Sequence, residues 1–391
     1  MRAPRGLHRR LAIGAKRRRI DELDAEVARL TKELGAARQK VSDYSETRNQ
    51  LTYHRDTLRR TRARLEGPSF HRELQSLKNY GFAMADVDPS SLHPMRQLSH
   101  KLRIYQFAAS HGVATPRILG TWPSPSAITF DELPDRFVLK ADGGAASQGV
   151  LPLQRRSSGV FATVDGSRTL TTSEIVDVFA RASRAKKVWG IFFAEEFLEQ
   201  PGGSAIPDDV KIYVAYGRVL QVLLRRVGEH GKDSTVRYKY VSAAGRDLGA
   251  ITTTRDIDPA IPVPNTLGDM VSIARHLSRA IGLPFCRVDL YNTIRGVVLG
   301  EITRTPGGAQ TYQLDHDRWM GEQWLLAKAE LELDTLRGRP VAMLYGPNPA
   351  PNPYPADHPL RGESARSRRV HTDCAAGVPT MRAAPATGTS E

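Results

Sequence analysis

The sequence predicts a mixed α/β (α+β) domain preceded by an N-terminal helical coiled coil. Apolar residues recur at every seventh position through residues 20–65. Strand-like and helix-like segments then alternate from residue 69 to about residue 345, the pattern of sheets and helices layered around a core. Within them, Arg287-Val288-Asp289 and Gly300-Glu301-Ile302-Thr303 flank a turn, so facing strands can present an arginine and two carboxylates to one place.

Residues 1–19 hold eight Lys/Arg and no acid, more than half of the net charge of +14. They are expected to be a disordered basic arm, either simply solvated or drawn to an anionic partner such as a membrane surface or an acidic polymer. Nucleic acid is the weaker partner, because the arm has no aromatic side chain to stack on bases.

Residues 20–66 read as the coiled coil. Leu23, Leu30, Ala37, Tyr44, Leu51, Leu58 and Leu65 repeat at one seam position, and Ile20, Val27, Leu34, Val41, Arg48, Arg55 and Arg62 at the other. This alternating spacing makes a seam for a second helix. The first half is apolar at both positions and predicts self-association. In the second half arginines would repel across a parallel dimer, so that half is looser or packs on another surface. A single amphipathic helix folded onto the domain is the alternative. Gly67-Pro68 stops the helix, since glycine terminates it and proline cannot continue it.

Residues 67–345 read as one α/β (α+β), enzyme-like domain. Lys101 opens an amphipathic stretch over residues 101–110. Phe137-Val138-Leu139-Lys140 is a short buried strand delivering a lysine to the loop Asp142-Gly143-Gly144-Ala145-Ala146-Ser147-Gln148-Gly149-Val150. Its small residues let backbone N–H groups approach phosphate oxygens. The loop fits neither the P-loop, since no lysine followed by Ser/Thr closes it, nor the three-glycine dinucleotide fingerprint. Residues 189–193 are apolar and run into Glu195-Glu196-Phe197-Leu198. Such a segment offers adenine an apolar slot with backbone hydrogen bonds, or it is an edge strand with solvated glutamates.

Asp208-Asp209-Val210-Lys211 begins another strand, with Asp209 and Lys211 on one side. Residues 285–291 favour a strand, residues 292–296 a turn, and Val297-Val298-Leu299 returns to Gly300-Glu301. Asp289 and Glu301 then stand side by side. They repel unless a cation lies between them, and Mg²⁺ shared with nucleotide phosphates suits such a pair. A surface hairpin with ordinary acids is the alternative. Beyond residue 345 the chain is rich in Pro, Ala, Ser and Arg, and residues 346–391 are expected to be a disordered tail.

Composition narrows the classes. No apolar stretch reaches the roughly 18 residues of a membrane-spanning helix, and Leu11-Ala12-Ile13 is too short for a signal-peptide core. Cys286 and Cys374 support neither a disulfide framework nor a metal cluster. His93, His100, His111, His276 and His316 are scattered and read as structural or surface residues. A cytoplasmic protein is predicted.

The order of these pieces resembles an ATP-grasp enzyme, and within that superfamily the teichuronopeptide-biosynthesis (TupA-like) branch. The branch marks are Trp122, then Phe130-Asp131-Glu132-Leu133-Pro134-Asp135-Arg136-Phe137-Val138-Leu139-Lys140, Arg287-Val288-Asp289-Leu290-Tyr291 and Gly300-Glu301-Ile302-Thr303-Arg304-Thr305-Pro306-Gly307-Gly308. The likeness spans residues 101–321.

The resemblance implies an ATP-grasp fold and a carboxylate–amine ligase that uses ATP and Mg²⁺. Its acceptor would be an amino acid or a glycan in cell-envelope polysaccharide or teichuronopeptide-type biosynthesis, at the inner face of the membrane. Lys101 and Lys140 would contact the α- and β-phosphates, and Gly143, Gly144, Ser147 and Gly149 would belong to a mobile loop over the triphosphate. Glu196, Phe197 and Leu198 would hold adenine and Glu199 the ribose. Lys211 would reach the γ-phosphate, Asp289 and Glu301 would bind Mg²⁺, and Arg287 would stabilise charge on the transferring group.

Two positions depart from the family pattern. Thr303 stands where many ATP-grasp enzymes carry asparagine; its hydroxyl can still ligate Mg²⁺ or a water on it, so Thr303 counts with Asp289 and Glu301 as a metal residue, and one or two Mg²⁺ are left open. Asp142-Gly143 stands where the branch often has Asn-His-Gly, and an acid there repels phosphates unless it faces away. A phosphotransferase acting on a glycan hydroxyl, or a non-catalytic nucleotide-binding coiled-coil scaffold, would carry the same residues.

Overall fold

The computed structural model describes residues 5–144, 149–202, 207–228, 233–252, 254–307 and 310–361. The chain divides into two units, Met1–Glu66 and Gly67–Glu391. The first is a single helix, α1 (Arg5–Glu66). Its seam residues Leu23, Val27, Leu30 and Leu34 are 45–60% exposed. Arg29 bridges Glu26 and Glu33 along the helix, but solvated pairs of this kind contribute little. The expected disordered arm is corrected from Arg5 onward: Arg, Leu, Ala and Lys favour helix and continue it without a break. Residues 1–4 lie outside the described residues.

In the second unit, Ser69 accepts the Arg72 N–H and caps α2 (Phe70–Val87) directly after the Gly67-Pro68 stop. A single turn, α3 (Pro94–Gln97), precedes α4 (Lys101–Ser110). Next come β1 (Ile118–Trp122), β2 (Arg136–Gly144), β3 (Val150–Ser157), β4 (Val160–Thr163), β5 (Thr169–Thr171), α5 (Thr172–Arg184) and β6 (Val188–Glu196). A reciprocal Thr171–Glu174 capping box starts α5. The remaining elements are β7 (Asp209–Ala215), β8 (Arg218–Val227), β9 (Val236–Val241), α6 (Leu267–Ile281), β10 (Cys286–Thr293), β11 (Gly296–Thr303) and α7 (Leu314–Leu336).

Two antiparallel sheets result. One has six strands in the order β1-β6-β2-β3-β4-β5, the other five in the order β11-β10-β7-β8-β9. In the first, Ile175 and Phe179 of α5 pack with Phe137, Phe161 and Phe192. In the second, apolar residues of α2, α6 and α7 cover one face in the larger core.

Helix α4 belongs to both halves. Ile104 and Phe107 join the larger core, whereas Leu102 and Tyr105 pack with Ile191 and Phe193 of β6. Its first residue, Lys101, is thereby delivered between the two sheets.

Two boundaries move. Strand β2 continues through Asp142, Gly143 and Gly144, with Gly143 paired to Trp189 and Gly144 to Val188, so the loop read from Asp142 begins later. The expected tail is corrected for residues 346–361, which pack onto α4. Tyr354 is 1% exposed, and the Gly346 and Asn348 N–H groups donate to Ser110. A few anchor side chains hold this segment, which explains why no apolar periodicity announced it. Residues 362–391 lie outside the described residues.

Candidate active site

Strand register builds one polar face on the five-stranded sheet. Asp289 of β10 stands opposite Glu301 of β11 on one side and Lys211 of β7 on the other. Arg287 stands opposite Thr303, and Asp209 opposite Arg225 of β8. Because side chains alternate along a strand, these charged groups share a face. The intervening Val210, Ile212, Val288, Leu290 and Ile302 go to the core, all at most 2% exposed.

Asp289 is saturated with cations. Lys211 Nζ donates to its Oδ2 at 2.6 Å, and Arg287 donates to both oxygens at 2.6 and 2.7 Å. Arg287 also reaches the Thr303 hydroxyl at 3.3 Å. Burial disfavours charge on Lys211, yet Asp209 and Asp289 outweigh it and hold its pKa above the ordinary lysine value. Burial likewise pushes Asp209 up, but Lys211 and Arg225 prevail and take it down to about 2. Glu301 differs: it is half-buried and makes no hydrogen bond or ion pair within the described residues.

The other sheet contributes Lys140, which pairs in register with Phe193. Glu195 lies two residues beyond Phe193 on the same face and forms an ion pair with Lys140. Tyr105, one turn along α4 from Lys101, donates to Glu195 at 2.8 Å, receives from Lys140 at 3.2 Å and lies 3.3 Å from the Gly300 carbonyl. One phenol thus links the two sheets. Burial and then Glu195 push the Tyr105 pKa far up, so it stays a neutral donor. Lys101 has no hydrogen-bond partner within the described residues. Burial pulls its pKa below the ordinary value, partly offset by Glu301.

The base of the glycine-rich segment is tightly built. The Trp189 indole covers Gly143 so closely that a Cβ there would lie 2.1 Å from Nε1. The Ala141 N–H donates to the Gly149 carbonyl at 2.9 Å. Asp142 is fully buried and faces α4, accepting from Leu102 N–H at 2.9 Å. The repulsion expected of an acid here is thereby removed. Ser147 lies outside the described residues, as does Gly308.

At the β6 end, the Glu196 carboxylate is taken by the Arg117 backbone and side chain and by Arg295. The Arg136 guanidinium lies 4.2 Å from the Phe197 ring centroid and also bonds Glu199 at 3.1 Å. Leu198 is buried. The structure therefore gathers Lys101, Lys140, Lys211, Arg287, Asp289, Glu301 and Thr303 into one charged region, with Glu196, Phe197, Leu198 and Glu199 around the end of β6. Sequence reasoning missed Tyr105, Glu195 and Arg225. Helical spacing from Lys101 could have found the first, strand parity the second, and the β7–β8 register the third.

Among the described residues no three His, Cys, Asp or Glu side chains group as a metal cage. Mg²⁺, however, is commonly held by one or two carboxylates with phosphates and water. The orphan carboxylate of Glu301 opposite Asp289 fits that mode.

Two antiparallel sheets, with lysines from both and an acidic pair on β10 and β11, are the architecture expected of an ATP-grasp protein. The match is specific: a model of the family described as TupA-like ATPgrasp fits residues 74–325, more than half of the chain, and the chain belongs to that family. No curated protein sequence matches it.

Solved structures similar to it include D-alanine–D-alanine ligase from Bacillus anthracis complexed with ATP. That pair is 14% identical with a TM-score of 0.39, covering 63% of this chain and 70% of that one. VanG D-Ala:D-Ser ligase from Enterococcus faecalis is 12% identical with a TM-score of 0.39, covering 61% and 63%. ATP-grasp ligase PsnB complexed with minimal precursor is 15% identical with a TM-score of 0.34, covering 60% and 61%.

Proposed function

We propose that this protein is an ATP-dependent carboxylate–amine ligase that works through an acyl-phosphate, joining an amino acid or short peptide to a cell-envelope glycan or its precursor. The observation that carries the reading is the Glu301 carboxylate, which stands opposite Asp289 with no hydrogen bond or ion pair among the described residues, while the charge of Lys101 on α4 is felt near it and Lys211 holds the other side of Asp289. An unanswered carboxylate and an unanswered lysine, both substantially buried, are costly unless a ligand completes them.

In this reading Lys101 and Lys140 hold the α- and β-phosphates, and the segment with Gly143, Gly144, Ser147 and Gly149 covers the triphosphate. Adenine lies against Phe197 and Leu198 and bonds main-chain groups near Glu196, whose carboxylate is already engaged. Glu199 exchanges Arg136 for the ribose hydroxyls. Glu301, and Asp289 once it gives up part of its contact with Lys211 and Arg287, would hold Mg²⁺, with the Thr303 hydroxyl beside them. The ion supplies positive charge against the phosphate oxygens.

Lys211 and Arg287 orient the γ-phosphoryl group. A substrate carboxylate oxygen forms the new bond to phosphorus as the bond to the ADP oxygen breaks. The amine then attacks the acyl carbon, gives up a proton to solvent, and phosphate leaves with the C–O electron pair. Positioning and fixed charge supply the rate. The basic arm draws the chain to an anionic membrane face, where each Lys or Arg contributes about 1 kcal/mol.

Incubation with ATP, Mg²⁺ and pools of amino acids and sugar acids, read by mass spectrometry, tests the reaction. ADP with a condensed product supports ligation. A product carrying phosphate establishes a phosphotransferase instead, and bound nucleotide without turnover establishes a non-catalytic module.

A further inference from the structure

We infer that residues 346–361 are a working part of the nucleotide site, with Tyr354 a positioning residue for Lys101 and for Gly143 and Gly144, which follow Asp142 in β2. The inference deepens the ATP-binding reading and rests on it.

The segment lies beyond the family-matched residues 74–325, yet it grips α4 from end to end. At the C-terminal end of the helix, Gly346 N–H donates to the Ser110 hydroxyl at 2.9 Å and Asn348 N–H to the Ser110 carbonyl at 3.0 Å. At the N-terminal end, the buried Arg103 donates to the Leu360 carbonyl at 3.1 Å. Arg361 closes the segment on itself by donating to the Tyr354 carbonyl at 2.5 Å. Between these clamps, Tyr354 packs with Leu102, Tyr105, Ile191 and Phe193.

The decisive contact is with Asp142. The Tyr354 hydroxyl donates to Oδ2 at 3.0 Å, His100 Nδ1 bonds the same oxygen at 3.1 Å, and Leu102 N–H donates to Oδ1 at 2.9 Å. A single carboxylate thus fixes the residues on both sides of Lys101, and it immediately precedes Gly143. His100, the N-cap residue of α4, makes no side-chain cap bond to the helix; Asp142 satisfies the Leu102 N–H in its place, an N-terminal donor of the kind a helix leaves unpaired.

A fully buried carboxylate keeps its orientation only while its donors hold it. Removing the Tyr354 hydroxyl takes away one of the three donors to Asp142 and leaves only His100 and the Leu102 N–H to hold it, which loosens the common reference of Lys101 and Gly143. His358, stacked on Tyr354 with centroids 4.9 Å apart, keeps the phenol ring in place, so loss of the hydroxyl alone preserves the packing.

The test compares the full chain with Tyr354→Phe and with Tyr216→Phe. The second variant loses a similar phenol–carboxylate bond, from Tyr216 to Asp334 at 2.8 Å, on residues that take no part in the site. Calorimetric titration with ADP and Mg²⁺ should give about a tenfold weaker Kd for Tyr354→Phe, the loss of one bond to a charged group, and no change for Tyr216→Phe. Amide exchange at Leu102 should speed up only in Tyr354→Phe. A Kd for Tyr354→Phe within twofold of wild type, or equal weakening by both variants, overturns the inference while leaving the ATP site intact. A wild-type chain that binds no ADP with Mg²⁺ overturns the ATP-site reading itself, and this inference with it.

Discussion

Asp289 and Glu301 face each other across β10 and β11, and of the two only Asp289 is paired among the described residues, with Lys211 and Arg287. The two carboxylates should therefore respond differently to neutralisation. Asp289→Asn leaves two buried cations short of their shared anion and should cost about 3 kcal/mol in the unliganded protein. Glu301→Gln removes a charge that no described residue holds and should cost under about 1 kcal/mol. Both should lose the thermal stabilisation that ATP with Mg²⁺ gives the wild type, about 2.7 kcal/mol at a hundredfold excess over Kd. Melting curves with and without ligand check this; stabilisation of Glu301→Gln equal to wild type would remove that residue from the metal site.

The contact between Gly143 and Trp189 gives a second prediction. A methyl group at 143 would overlap the indole, and forced overpacking costs about 1–3 kcal/mol. Gly143→Ala should lower the melting temperature and weaken nucleotide binding, because this strand end feeds the glycine-rich segment. The Trp189 side chain is 46% exposed on its other side, so Trp189→Ala should be mild alone and should restore the Gly143→Ala chain. A double variant no better than Gly143→Ala would show that the clash is not the cause.

That the charged side chains of the five-stranded sheet share one face was legible in the sequence, because it is written in strand parity. Asp289, Glu301, Arg287 and Lys211 sit on strands whose alternation can be read residue by residue, and the register then follows from the short turn near Ile294. Lys101 was legible because a helix begins there. The contacts between sheets were hidden. Tyr105 joins Lys140 and Glu195 to Gly300 only once α4 lies between the sheets, and no local pattern encodes that placement. Tyr354 was hidden for a related reason: it sits in a proline-rich segment whose order comes from long-range anchors and not from periodicity.

Buried histidines give a pH prediction. His111 bonds His276 at 2.9 Å and the Leu344 carbonyl at 2.8 Å, and burial, helped by His276, takes its pKa from 6.5 to about 4. Burial takes His316, bonded to Gln221 at 2.8 Å, down to about 4 as well. Both stay neutral in the folded chain while the unfolded chain protonates below 6.5. Their contribution is complete above pH 6.5 and is lost as pH falls toward 4, about 3 kcal/mol for each. Asp209 adds its own loss only below its ordinary 3.8. Urea unfolding at pH 7 and 4.5 should show the decline, to which His276 and His93, also lowered by burial, add. His316→Gln, whose amide can still donate to Gln221, should reduce it. An unchanged decline in that variant would assign the effect elsewhere.

Helix α1 supplies the last prediction. It presents Ile20, Leu23, Val27, Leu30, Leu34 and Val41 at seam spacing, each at least 45% exposed in the single chain. A long helix gains most of its stability from a packed face, and a second copy offers the matching one. The seam changes at Arg48, Arg55 and Arg62, where like charges would meet in a parallel pair, so the residues up to Val41 should carry the association. Light scattering should report a dimer for the full chain and a monomer after removal of residues 1–66. Leu23→Asp with Leu30→Asp should also give a monomer, because burying carboxylates at a seam is costly, while Arg55→Leu should tighten the dimer. The truncated chain should keep its nucleotide binding, since every residue assigned to the site lies beyond Glu66. If the truncated and full chains have the same mass per particle in monomer units, α1 is not the association surface.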